Sequence, residues 1–120
     1  MKIVIVEDDT DIATLIQRAL SSLGEVEVLT TDQDTFRFPT REDVEIAIQS
    51  ADVVLLDNDL GSGQDFTGKD LLPLCKDKKV VGISTHVSLG KHNWGLKSSL
   101  SWKAGDEASV SLLNFVKAIL

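Results

Sequence analysis

Val53-Val54-Leu55-Leu56-Asp57-Asn58-Asp59 is the stretch that decides the fold. Four apolar residues run without a break into a carboxylate. Gln49-Ser50 precede the run and Gly61-Ser62-Gly63 follow it. An unbroken run of this length between turn signals predicts a strand buried on both faces, as in a parallel sheet. Asp57 then stands at the carboxyl end of the strand. Open parallel α/β sheets gather their chemistry along that edge.

Working outward, Ile3-Val4-Ile5-Val6 is a second buried, β-branched strand, and it ends in Glu7-Asp8-Asp9. Capping explains one or two of these acids: Asp9 or Thr10 can cap the helix that follows, and negative charge suits its N-terminus. It does not explain three. Ile12, Ile16, Ala19, Leu20 and Leu23 lie at helical spacing, and Gly24 stops the helix. Val26 to Leu29 is a short second strand. Thr40 is a cap for a helix through Val44, Ala47 and Ile48. After Asp57, a glycine-bearing loop from Asn58 to Thr67 leads to a short third helix in Gly68-Lys69-Asp70-Leu71-Leu72-Pro73-Leu74. Proline belongs in a first turn, which makes Asp70 the expected cap.

Val80-Val81-Gly82-Ile83 is a fourth strand, ending in Ser84-Thr85-His86. From Ser88 to Ser99, Gly90 and Gly95 interrupt the pattern and no clean helical stripe is present. Leu100-Ser101-Trp102 is read as the fifth strand, ending in Lys103. Asp106 caps a last helix that turns Leu112, Leu113, Val116, Ile119 and Leu120 inward. Strand and helix alternate, which predicts a doubly wound α/β domain: a parallel sheet with helices on both faces.

The whole chain, residues 1–120, reads as a single domain with no linker, repeat or output domain. Its net charge of −7 argues against a nucleic-acid-binding surface. Cys75 has no partner for a disulfide and falls in a Leu-rich segment, so a buried, inert thiol in a reducing cytoplasm is expected. No apolar run reaches the roughly 20 residues of a membrane span, and the first strand ends in acids, unlike a signal peptide. His86 and His92 have no ligand-like spacing to the acids, and Trp94 and Trp102 are expected in or near the core.

The groups that end the apolar runs are Glu7-Asp8-Asp9, Asp57, Ser84 and Lys103. On one sheet edge, the carboxylates would repel without a cation. Mg²⁺ relieves this with one or two carboxylates plus phosphate oxygens and water. Ser84 and Lys103 then suit a phosphoryl group.

These residues resemble the receiver domain of two-component response regulators, the CheY-like superfamily. Ile3 to Ile12 resembles that family's first strand, acidic pair and first helix. Val53 to Asp57 resembles its phosphoacceptor strand, Gly68 to Leu72 the glycine and apolar pair at its third helix, and Val80 to Thr85 the strand that ends in a hydroxyl residue. The resemblance implies a flavodoxin-like, five-stranded sheet of order 2-1-3-4-5. It implies a cytoplasmic, stand-alone signalling protein of a two-component system or phosphorelay, a monomer or weak dimer without a membrane or nucleic-acid partner. Such a protein is no enzyme beyond its self-catalysed phosphoryl transfer and dephosphorylation. Asp57 would accept a phosphoryl group from the phosphohistidine of a histidine kinase or phosphotransfer protein. Glu7, Asp8, Asp57 and the backbone carbonyl of Asp59 would hold Mg²⁺. Ser84 would bond the phosphoryl oxygens, and Lys103 would pair with the acyl phosphate, with Lys97 as its substitute.

The chain departs from that family at several points. Ala104 follows Lys103 where the family has proline, which disfavours a cis peptide there. The aromatic residue expected a few positions before the lysine is missing from Leu100, the loop after Asp57 is long, and the fourth helix is poorly formed. Two readings compete. Asp57-Asn58-Asp59 with Glu7 also resembles the Mg²⁺-dependent Toprim domain of primases and nucleases, although Asp8 stands where that family has glycine. The chain also reads as an atypical receiver that binds a partner without phosphorylation. A haloacid-dehalogenase-type phosphatase fits less well, because its Asp-x-Asp normally lies on the first strand.

Overall fold

The structure is a computed structural model that describes residues 1–61, 64–95, 97 and 107–120. Its centre is a five-stranded parallel sheet of order β2-β1-β3-β4-β5. The strands are β1 (Lys2–Val6), β2 (Glu25–Leu29), β3 (Val53–Leu56), β4 (Lys79–Gly82) and β5 (His92–Asn93). The helices are α1 (Thr10–Leu20), α2 (Arg41–Gln49), α3 (Gly68–Leu71) and α4 (Glu107–Ile119). Short 3₁₀ turns extend α1 over Ser21–Leu23 and α3 over Leu72–Cys75.

β1 and β3 lie side by side at the centre, in the register Ile5↔Leu55 and Val6↔Leu56. Every residue of β3 is buried, as its unbroken apolar run requires. Because side chains alternate along a strand, the two central strands feed two cores. Val4, Val6, Val54 and Leu56 pack with Val44 and Ile48 of α2, and with Leu71, Cys75 and Leu89. Ile3, Ile5, Val53 and Leu55 pack with Ile16 and Leu20 of α1, and with Leu112 and Val116 of α4. The helices therefore cover both faces, as the alternation predicts. Cys75 is buried as expected, and burial pushes its thiol pKa up.

Local signals position the helices. The Asp9 side chain accepts hydrogen bonds from the Asp11 and Ile12 amides at 3.0 and 3.1 Å, so Asp9 is the α1 cap. Thr40 caps α2 through the Asp43 amide. At α3 the cap is Thr67 rather than Asp70. Asp70 sits three residues further on and accepts from the Thr67 amide at 2.9 Å, which closes a capping box. Pro73 falls in the first turn of the 3₁₀ segment, where its missing N–H costs nothing. The helix thus begins one turn earlier than the proline alone suggested.

The second half of the sheet departs further from expectation. The fifth strand is His92–Asn93, and the proposed strand at Leu100-Ser101-Trp102 lies outside the described residues. No helix joins β4 to β5: residues 83–91 form a loop. Parallel crossovers usually take about a dozen residues or more. Here β5 is two residues long and pairs at the end of β4, His92 with Val81 and Asn93 with Gly82, so the chain steps back by very little. The Asn93 side chain pins this loop. Its Oδ1 accepts from the Leu89 amide at 2.7 Å, and its Nδ2 donates to the Gly90 carbonyl at 3.2 Å. A Cβ on Gly82 would strike Asn93 Oδ1 and crowd Leu89, so the loop's closure depends on a glycine there. Leu89 drops into the α2–α3 core, and Trp94 enters the other, where its indole N–H donates to Ser111 Oγ on α4 at 3.0 Å.

Candidate functional site

The sheet places the acids. The Asp57 amide donates to the Val6 carbonyl at 3.0 Å, the Glu7 amide to Leu29 at 3.1 Å and the Ile83 amide to Leu56 at 3.0 Å. The ends of β1, β3 and β4 therefore stop at one level; Glu7 and Asp57 follow immediately, and Ser84 follows after Ile83. Glu7 and Asp57 are the two buried charged residues among those described, at 1% and 4% exposure. One carboxylate oxygen from each of Glu7, Asp8 and Asp57 lies within 4.8 Å of the others. They open into a cleft of about 350 Å³ that Asp59, Ser84, Thr85, His86 and Lys97 also line.

Lys97 closes the arrangement. Its Nζ lies 2.8 Å from Glu7 Oε2 and 2.8 Å from Asp57 Oδ2. The remaining oxygens are engaged by the backbone: Glu7 Oε1 accepts from the Asp9 amide at 3.2 Å, and Asp57 Oδ1 from its neighbour Asn58 at 2.9 Å. Asn58 ties the site to α3, because its side-chain oxygen accepts from the Lys69 amide and its carbonyl from the Gly68 amide. Gly68 passes so close to Asp57 that a Cβ there would collide with the Asp57 carbonyl.

The electrostatics follow from two buried carboxylates sharing one ammonium. Burial pushes Glu7 up to about 8; the Lys97 hydrogen bond opposes this, and the Asp57 charge adds to it. Burial also raises Asp8, against a hydrogen bond from Glu7. Burial works against a charged Lys97, but its bonds to Asp57 and Glu7 more than offset that and raise its pKa. Three clustered carboxyl groups share one ammonium, and such a cluster, with oxygen donors only, fits a hard divalent cation.

Most residues singled out in the sequence meet here: Glu7, Asp8, Asp57, Asp59 and Ser84. Asp59 is exposed, and its side chain accepts from the Gly61 amide at 3.1 Å. Ser84 Oγ accepts from the amides of His86 and Val87 at 3.2 and 3.1 Å, so it organises its own turn. That leaves its hydroxyl proton for an acceptor in the cleft. Lys103 lies outside the described residues; Lys97, its substitute, is the lysine found in the cleft. A signal for Lys97 was present. Trp94 stands three residues before it, giving the aromatic-then-lysine order that is missing around Lys103. The strand-like sequence Leu100 to Trp102 is what directed the reading to Lys103 instead. Thr85 and His86 join the lining without any sequence signal beyond their place after Ser84.

Solved structures with the same architecture are response-regulator receivers. The BeF3-activated receiver domain of DrrB is 21% identical, with a TM-score of 0.67 over 98% of this chain and 95% of that one. The response regulator DrrB, a Thermotoga maritima OmpR/PhoB homolog, is 22% identical with a TM-score of 0.65; the match covers 97% of this chain and 50% of DrrB. A CheY-like receiver domain from Methylobacillus flagellatus is 20% identical, with a TM-score of 0.60 over 100% of this chain and 98% of that one. No protein-family model and no curated protein sequence matches the chain. The fold is thus that of the CheY-like response-regulator receiver domain, in which the doubly wound sheet carries an acidic cluster at its carboxyl edge. Among the described residues no helix is long and apolar enough to cross a membrane.

Proposed function

We propose that this chain is a phosphoacceptor receiver of a two-component or phosphorelay system. In this reading Asp57 takes a phosphoryl group from the phosphohistidine of a histidine kinase or phosphotransfer protein. One observation carries it: in a receiver fold, Glu7, Asp8 and Asp57 converge within 4.8 Å at the end of β3, with Lys97 bridging two of them. Glu7, Asp8, Asp57 and the Asp59 carbonyl are the groups that would hold Mg²⁺. The cation would supply charge neutralisation for the incoming phosphoryl oxygens.

The chain's own residues do the positioning. Asn58 links the residue after Asp57 to the start of α3, and its amide engages Asp57 Oδ1. The attacking carboxylate Oδ forms the new P–O bond as the phosphohistidine P–N bond breaks, and the leaving imidazole retains that electron pair. Ser84 donates its hydroxyl to a phosphoryl oxygen, and Lys97 pairs with the acyl phosphate, the role first given to Lys103. A phosphoryl dianion is a strong acceptor, and charge-assisted bonds to it outweigh the cost of shifting the light loop after Ser84.

The test is incubation with acetyl phosphate and Mg²⁺, read by intact mass. Wild type should gain one acid- and base-labile phosphoryl group, and Asp57→Ala none. Labelling that survives the substitution overturns the assignment. A second reading, a receiver that works without phosphorylation, draws on the Lys97 bridge, which already gives Glu7 and Asp57 a cation. It predicts no labelling in wild type either.

A further inference from the structure

The β4–β5 connection has no helix, and a groove of about 360 Å³ lies beside it, between the 3₁₀ turn after α3 and the start of β5. Its floor is apolar. Cys75 is buried there, but Leu72 and Val80 are only partly covered. Its rim is basic, formed by Lys76, Lys78, Lys79, Lys91 and His92. The chain has 12 Lys and Arg against 19 Asp and Glu, yet four of those lysines line this one groove and, among the described residues, no carboxylate does. Lys78 donates to the Gln49 carbonyl at 2.9 Å, a neutral partner. None of the four takes part in the salt bridges found among the described residues, which involve Lys2, Arg41 and Lys97. The nearest acid in sequence, Asp77, is exposed and outside the lining.

We propose that this groove docks an acidic amphipathic helix of a partner protein, its apolar stripe on Leu72 and Val80 and its carboxylates on the lysine rim. Gathered ammonium groups without carboxylates repel one another, and an anionic partner turns that repulsion into attraction. The half-exposed apolar floor asks for a side-chain stripe rather than a bare polyanion, and helix-in-groove docking supplies one. In a doubly wound sheet this is where the crossover from β4 would lay a helix, so a helix from outside completes the layer. β5 is too short for a partner strand to add along it. Nucleic acid is the poorer fit, since the net charge of −7 repels it and, among the described residues, no aromatic side chain lines the groove for stacking. The site uses none of the phosphoacceptor residues, so it stands or falls independently of that reading.

The test uses the full, unphosphorylated chain. The probe is a fluorescein-labelled amphipathic peptide with a leucine stripe flanked by glutamates; the control has glutamine at every glutamate. Anisotropy should show saturable binding of the acidic peptide alone, weakened by added salt. Binding should fall by about tenfold or more in the double variant Lys79→Glu, Lys91→Glu, both surface positions whose change leaves the core intact. Val80→Ser should also weaken it, and amide shifts should map to residues 72–80 and 90–92. Equal binding of the glutamine peptide, unimpaired binding by the charge-reversed variant, or shifts confined elsewhere overturn the proposal. So do tighter binding of a DNA duplex, and a dimer in sedimentation that the lysine reversal dissolves, which would make a second copy the occupant.

Discussion

The two halves of the sheet are built differently. β1 and β3 pair over four residues, all fully buried at the paired positions, and both cores close around them. β5 contributes two exposed residues, reached by a loop and held by one asparagine side chain. The acids Glu7, Asp8 and Asp57 follow the strong half. Ser84 and Lys97 come from the light half. In the proposed function, the groups that must stay fixed follow the fully buried strands, and the groups that would answer a new charge belong to the less supported half.

Stability measurements should expose this contrast most strongly. Leu56 and Leu89 are both fully buried in one core. Leu56→Ala, between two paired strands, should cost about 4 kcal/mol, whereas Leu89→Ala, in a loop able to collapse, should cost about 2 kcal/mol. Denaturant melts of the two variants check this, and equal losses would mean that the loop is packed as rigidly as the sheet.

The buried carboxyl gives a pH signature to the strong half. Glu7 titrates near 8 in the folded chain, against an ordinary value of 4.5. Between those values the folded state holds a proton that the unfolded state has released, so stability falls as pH rises through this window. The slope should approach about 1.4 kcal/mol per pH unit at its steepest and level off above the folded value. Glu7→Gln should flatten the profile in urea melts repeated across that range.

Metal binding should separate neighbours within the acidic triplet. Asp8→Asn should weaken Mg²⁺ by about tenfold, while Asp9→Asn, which still caps α1, should leave it nearly unchanged. Lys97→Ala should tighten Mg²⁺ at pH above 8, because the ammonium no longer competes for Glu7 and Asp57. Calorimetric titration reads all three. The smallest effect belongs to a cap: Thr67→Ala should cost about 1 kcal/mol in the same melts.

The strong half was legible in the sequence and the light half was not, for one physical reason. Full burial forces an unbroken apolar run, so Ile3 to Val6 and Val53 to Leu56 announced themselves, and the residues ending them, Glu7 and Asp57, followed. Capping chemistry narrowed the α1 cap to Asp9 or Thr10 and identified Thr40 for α2. His92–Asn93 is polar because it lies exposed at the sheet edge with two residues paired, and nothing in hydrophobic periodicity marks such a strand. Leu100-Ser101-Trp102 looked the better candidate and carried the lysine assignment to Lys103. At α3, Pro73 drew attention away from the Thr67–Asp70 capping box, which was readable from its spacing.

The division of labour between the halves can be tested by hydrogen exchange on the chain with and without beryllofluoride and Mg²⁺. The account predicts altered protection in residues 83–95, reduced in size by Ser84→Ala, with β1 and β3 unchanged. Full occupancy at Asp57 with no change between Ile83 and Gly95, or a change that spreads through β1 and β3 instead, would contradict it.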